Sequence, residues 1–256
     1  MVTLKQSLAG EKYRLAVIAN AGKKLPVIPD NAPKSDVLKM ITFDATGIWN
    51  ATGTTSYSRF PMWGETAAAQ AITPATSLGN ITLLRALARI DIGCALSGET
   101  AAGISGFTLK TVSVYRTKNK GYAAPVNGGT ITGNVVASVS IPPDAGTNGA
   151  LTYTCPDGKS LIRTIYVAET PQGSNRDNNV CLVVGGTYAG STHYYRIDLT
   201  SRGSYIPLKR NCRYIVNIKA VSNAGYATEA AALTGDKTLV IATSVSAEAW
   251  GGQTAA

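Results

Sequence analysis

The sequence predicts an all-β fold built as two β-sandwiches in tandem. Three observations carry that prediction. Apolar residues alternate with polar ones in segment after segment from Tyr13 to Ala249, the pattern of strands with one face on a core and one in water. Gly, Ser, Thr, Val, Ala and Tyr dominate, and Leu/Glu/Lys-rich helical stretches are missing, which suits strands joined by many turns. With 256 residues, 45% of them hydrophobic, the chain is long enough for two ordinary domains with buried cores.

The first strand is expected in Glu11–Gly22 (EKYRLAVIANAG), with Tyr13, Leu15 and Val17 on one face. Ser35-Asp36, followed by Val37, Leu38, Met40 and Ile41, reads as a short capped helix. Phe60–Glu65 (FPMWGE) then concentrates aromatic bulk in a chain that has little of it. Its stronger reading is a buried plug at the closing edge of the first sandwich. Pro61 would fix a turn, Met62 and Trp63 would fill the core, and Gly64 would permit a reversal. The alternative is an exposed Trp63 acting as a sugar-stacking platform. The Ala/Thr/Gly-rich stretch Thr66–Gly79 reads as a connection, dividing the chain into residues 1–80 and 81–256.

Leu83, Leu84, Leu87 and Ile90 would suit a helix. Yet Ala86, Ala88, Ile90, Ile92 and Cys94 form an unbroken alternate face opposed by Arg85, Arg89 and Asp91, so a strand is expected. Phe107 and Leu109 are out of phase with Val112 and Val114, which a β-bulge near Lys110-Thr111 would reconcile. Further strand faces are Val135, Ala137, Val139 and Ile141, then His193, Tyr195, Ile197 and Leu199, with Tyr194, Arg196 and Asp198 on the wet side. Tyr214, Val216, Ile218 and Ala220 follow, and Leu239, Ile241, Val245, Ala247 and Ala249 close the series. Thr228–Leu233 is a second short helix. Turns are expected at Asn127-Gly128-Gly129, Pro142–Gly146, Pro156-Asp157-Gly158 and Gly185-Gly186.

The net charge of +9 invites a nucleic-acid reading. The basic residues are scattered, however, through Lys23-Lys24, Arg116–Lys120, Lys209-Arg210 and Arg213, without aromatic interleaving. A solvated face and no nucleic-acid partner are expected, although the charge would equally suit acidic glycans or anionic surfaces. Cys94, Cys155, Cys181 and Cys212 form no CxxC pair, and His193 is the one histidine, so no metal site is expected. Free buried thiols are the plainer reading, with one disulfide left open. His193 reads as a packed histidine. No nucleophile elbow, zinc-protease helix or phosphate-binding glycine loop is present, and Asp91, Glu99, Asp144, Asp157, Glu169, Asp198, Glu229 and Glu248 stand singly. The expectation is no catalytic residue, no cofactor and no enzyme activity. No stretch has the length of a membrane span, and no signal peptide is visible.

Several phrases, in order, resemble the fimbrillins of Bacteroidales, the FimA-type and related pilus subunits. They are LAVIANAG (Leu15–Gly22), FPMWGE, LLRALARIDI (Leu83–Ile92), FTLKTVSVYRTKNKG (Phe107–Gly121) and IYVAET (Ile165–Thr170). CLVVGGTYAGSTHYYRIDL (Cys181–Leu199), YIPLKRNCRYIVNIKAVSNAGY (Tyr205–Tyr226) and AEAW (Ala247–Trp250) complete the series. The resemblance implies two transthyretin-like sandwich domains, a lipoprotein precursor and export to the cell surface, with membrane contact only through the precursor's lipid anchor. It further implies strand exchange between subunits, in which a protease removes a first strand and a neighbour's strand fills the vacated groove. Other fimbrial subunits would be the partners, with host glycans or proteins as adhesion targets. Members carry a strand upstream of LAVIANAG that is missing here, so a processed or trimmed form is expected. The C-terminal end is the expected donor, through Leu239, Ile241, Val245 and Trp250. Only Gly251–Ala256 lie beyond Trp250, short for a donor strand at ~3.3 Å per residue, which leaves stalk and tip roles both open. The alternative from another class is a secreted glycan-binding sandwich that does not polymerise.

Overall fold

The computed structural model describes residues 6–21, 25–51, 58–126, 131–132, 134–236, 240–251 and 253–254. The elements run β1 (Ala16–Ala19), α1 (Lys34–Met40), β2 (Thr42–Asp44), β3 (Met62–Glu65), β4 (Thr82–Arg85), β5 (Leu87–Cys94), β6 (Leu96–Ser97), β7 (Thr100–Ala101), β8 (Phe107–Tyr115), β9 (Lys120–Tyr122) and β10 (Ile131–Thr132). They continue with β11 (Val135–Val136), β12 (Leu151–Thr154), β13 (Ser160–Ala168), β14 (Cys181–Tyr188), β15 (Ser191–Asp198), β16 (Thr200–Ser201), β17 (Ser204–Tyr205), β18 (Cys212–Val221), α2 (Glu229–Thr234), β19 (Ile241–Ala249) and β20 (Gln253–Thr254). The chain is all-β, with two short α-helices among the described residues.

The larger sandwich sets the sheet β13-β5-β18-β19 against the sheet β12-β8-β14-β15. Ile90, Ile92 and Val216 from one sheet share a single apolar cluster with Val112, Val114, Leu182 and Val184 from the other. The bulge expected at Lys110-Thr111 is present. On β14 the register jumps between Gly185, opposite Thr111, and Gly186, opposite Leu109, so Leu109 and Val112 both reach the core. A second slip lies between Ile218 and Ala220. It turns Ala220 outward and Val221 inward, against the simple alternation of the sequence.

In the first half, the sheet β1-β3-β4-β20 packs on α1 and on the ladder of β2 with β9. Trp63, Leu38 and Tyr122 share one cluster, and Phe43, Ile41 and Ala86 share another, with Ile18 packed against both. Ile18 therefore takes the core-facing role expected of the Tyr13, Leu15, Val17 face. Residues 15–19 are apolar at every position, so alternation could not choose a face there.

Other expectations need correction. FPMWGE is no edge plug, because β3 is an inner strand between β1 and β4. Trp63 is only 4% exposed, which rules out a sugar platform there. Gly64 makes no reversal; a Cβ at that position would sit 2.4 Å from the Thr82 carbonyl. Nor is Gly185-Gly186 a turn. A Cβ on Gly185 would meet Thr111 Oγ1 at 2.4 Å, and one on Gly186 would meet the Phe107 ring at 2.2 Å. The true hairpin is Ala189-Gly190, both residues at positive φ, linking Tyr188 to Ser191. The strand expected over Val135–Ile141 shrinks to the two residues of β11. Pro142 and Pro143 lack donors and lead into a turn closed by Ala145 N on the Pro142 carbonyl at 3.0 Å. Helix α1 starts at Lys34, behind Pro33, with no side-chain cap, whereas α2, expected over Thr228–Leu233, runs Glu229–Thr234 and is capped by the Thr228 side chain. Arg196, expected on a wet face, is 5% exposed because α2 covers it. Its guanidinium bonds Asp198 and the Arg176 and Leu233 carbonyls. The turn expected at Asn127-Gly128-Gly129 lies outside the described residues.

All four cysteines are free and buried. Burial pushes Cys94 and Cys212 up to about 11. Burial, aided by a hydrogen bond to Asp157, pushes Cys155 up to about 12. These thiols stay protonated and inert at neutral pH. The Pro156-Asp157-Gly158 turn is formed, with the Asp157 carboxylate accepting from the backbone N–H groups of Lys159 and Ser160 at 2.8 and 2.9 Å. Burial raises this carboxyl, but the Ser160 and Lys159 donors outweigh it and hold it at about 2. Its folded pKa lies below its unfolded one, so the stabilisation is full above about pH 4 and fades as pH falls toward 2. Asp157→Ala is expected to cost ~1 kcal/mol at pH 7, and urea denaturation should show the difference from wild type shrinking at acid pH.

Candidate assembly face at the C-terminal strands

Strand β19 pairs with β18 from Ala249 opposite Cys212 to Ile241 opposite Val221. It is the last strand of its sheet, with no further ladder on its outer side among the described residues. Of the residues expected to act in assembly, Ile241 is buried. Val245 lies opposite Val216 and packs, half-buried, on the large core. Leu239 lies outside the described residues. Ile241 and Val245 thus face their own sandwich, while Ser246–Ala249 are exposed.

At Trp250 the chain leaves that sheet. Its backbone N–H donates to the Asn211 carbonyl at 2.7 Å. The indole stacks on Tyr166, with centroids 5.5 Å apart, and takes Phe60 edge-on at 5.4 Å. The Arg85 guanidinium lies 4.3 Å over the same ring, and Arg85 also donates to the Trp250 and Gly251 carbonyls at 2.8 Å each. Burial pulls that guanidinium below its ordinary value. Beyond it, β20 pairs with β4, Gln253 opposite Leu83 and Thr254 opposite Thr82. The C-terminal segment therefore runs from the larger sandwich into the sheet of the first half.

The wall beneath Trp250 is charged yet dry. Asp91, 0% exposed, accepts from Arg89 at 2.8 and 2.6 Å, from Arg213 at 2.6 Å and from the Arg163 backbone N–H at 2.9 Å. Arg213 reaches on to Glu248 of β19 at 3.0 Å. This network explains why β5 is buried on both faces, although its sequence promised a wet one. Sequence reasoning missed Tyr166, Arg85 and Asn211 as partners of Trp250. The one available signal was the Arg85 side chain interrupting an apolar run.

His193 is half-buried beside Tyr188, and the described residues include no group of three or more His, Cys, Asp or Glu placed to hold a metal ion. No described helix is long and apolar enough to cross a membrane.

Solved structures that share the fold include three from Bacteroidales. One is a proposed cell adhesion protein of Parabacteroides distasonis, with TM-score 0.56 and 16% identity over 94% of this chain and 84% of that one. Another is a proposed cell adhesion protein of Bacteroides eggerthii, with TM-score 0.51 and 16% identity over 93% and 78%. The third is the C-terminally truncated tip fimbrial protein Mfa3 of Porphyromonas gingivalis, with TM-score 0.52 and 15% identity over 93% and 80%. No family model matches the chain, and no curated protein matches it by sequence. At such identities the likeness is one of fold, a β-sandwich architecture that runs through almost the whole chain.

Proposed function

We propose that the chain is a structural subunit, stalk or tip, of a bacterial cell-surface fimbrium of the fimbrillin type. It assembles by strand exchange, supports adhesion and carries out no catalysis. In this reading it is exported as a lipoprotein precursor, and its partners are other fimbrial subunits. Its two units divide near residue 80, with β4 and β20 joining the sheet of the first unit and residues 120–126 packing on it.

The observation that carries the reading is the course of the last strand. β20 leaves the sheet of β19 and adds to the β4 edge of the first-half sheet. The same ladder made in trans, the tail of one copy on the β4 edge of the next, is β-augmentation that preserves the bonds already seen within one chain. The fold shared with a fimbrial tip protein supports the same view.

Deleting Trp250–Ala256 tests it, because the β18–β19 ladder ends at Ala249 and stays whole. A stalk subunit so shortened is expected to fold and reach the surface but to be missing from isolated fimbriae. Normal incorporation would overturn the donor assignment. Immunogold labelling of the intact protein along the shaft or at the end separates stalk from tip.

A further inference from the structure

A second feature lies in the first half of the chain. Between β1, β2 and the residues leading into β3 is a cavity of about 330 Å³, walled by Phe43, Trp49 and Pro61 and rimmed by Asn20, Asp44 and Arg59. Its aromatic wall is held in place. Phe43 is 3% exposed and meets Trp49 edge-on, with centroids 6.0 Å apart at 87°. The indole N–H of Trp49 is committed to the Ser58 carbonyl at 3.1 Å, so the ring cannot swing freely. Trp49 stays half-buried, with part of the indole open to solvent. On the rim, Asn20 sits in the left-handed region at φ 56°. Its amide N–H is anchored on the Phe60 carbonyl at 3.0 Å, which leaves the amide oxygen as an acceptor. Asp44 and Arg59 are exposed at the same rim.

The combination selects a ligand class. An apolar aromatic wall beside a few converging polar groups is the make-up of a small-molecule site, and the volume falls at the small end of the usual range, about 300–1,000 Å³. One carboxylate and one guanidinium give the rim no net charge, so neither a strong anion nor a strong cation is favoured. What fits is a neutral molecule with one C–H face and an edge of hydroxyls. We infer that this cavity binds a single neutral pyranose, the terminal residue of a glycan. Its C–H face lies on Trp49, its hydroxyls donate to Asp44 and Asn20, and Arg59 donates to a sugar oxygen. Its lining residues lie between Asn20 and Pro61, and none of them pairs with β19 or β20. Phe60 beside the cavity packs on Trp250, so sugar binding is tested by variants of the cavity itself and not by deletion of the tail.

The test is saturation-transfer NMR on the full chain with free methyl glycosides of galactose, glucose, mannose and N-acetylglucosamine, and with N-acetylneuraminic acid as the anionic control. Transfer to the C–H protons of at least one neutral glycoside is expected. Trp49→Ala and Asp44→Asn should each weaken that binding roughly tenfold, about one aromatic or charged contact. Asp44 is exposed, so Asp44→Asn keeps the proposal testable if Trp49→Ala fails to fold, and melting curves report which has happened. No transfer to any neutral glycoside would overturn the assignment. So would transfer unchanged in the folded variants, or binding of the anionic sugar alone.

Discussion

Glu169→Ala is expected to lower the unfolding free energy by roughly 3–5 kcal/mol, the usual cost of stranding a buried charge. Arg210 and Glu169 have side chains 1% and 3% exposed. The guanidinium donates to the Glu169 carboxylate at 2.9 and 2.6 Å and to the Ala123 and Tyr122 carbonyls at 3.1 and 3.0 Å. One side chain thus ties the turn before β18 to the end of β13 and to the segment that pairs β9 with β2. Ala123 and Ala168 pack beside it, in the cluster where the two halves of the chain meet. Removing the carboxylate leaves a cation with carbonyl partners but no counter-charge, out of reach of water. Replacing both residues at once, by Glu169→Leu with Arg210→Met, should recover most of the loss, because neither charge then has to be desolvated. Urea denaturation of the single and double variants measures this. A single-variant cost under about 1 kcal/mol would mean that water reaches the pair.

Neither member of that pair could be matched from sequence, and the reason is general to this chain. What was legible was local. Period-two alternation located most of the long strands, and the phase change between Leu109 and Val112 located the bulge. The stretch Thr228–Leu233 located α2 to within one residue at each end. What was illegible depended on residues distant in sequence. The polar face of β5 looked wet, yet Arg213, which dries it through Asp91, lies on β18. Gly185-Gly186 carries the local signature of a turn, but its glycines answer to Phe107 and Thr111 on the neighbouring strand. The burial of Trp63 was readable from its surroundings; its place in an inner strand was not. At the C-terminus the alternation put Ile241 and Val245 on one face. It could not say that this face belongs to their own sandwich, or that Phe60 and Tyr166 would receive Trp250.

Trp250→Ala is expected to open the tail without unfolding the sandwich. The ladder of β20 on β4 has two residue pairs, too few to persist alone. The indole therefore carries the attachment, through Tyr166, Phe60 and Arg85. Truncating a core tryptophan costs ~3–5 kcal/mol, and the half-buried position of Trp250 puts this one near 3. That corresponds to roughly a hundredfold rise in the open fraction of the tail, while β19 stays on β18. Hydrogen exchange read by mass spectrometry should show faster exchange in residues 250–256 and 82–85, with little change in β5 and β18. Trp250→Phe should fall between, keeping an aromatic face for Arg85. The consequence for assembly follows from the same contacts. A neighbour's tail needs the indole as much as the chain's own tail does, so Trp250→Ala should open the tail without raising the oligomer fraction in light scattering. The chain lacking Trp250–Ala256 keeps an open β4 edge, and it should bind a synthetic peptide of residues 250–256 added in trans. The same peptide carrying Trp250→Ala should bind roughly a hundredfold more weakly. A peptide that does not bind the shortened chain at all would overturn the donor assignment, and equal binding of the two peptides would reduce Trp250 to a packing residue.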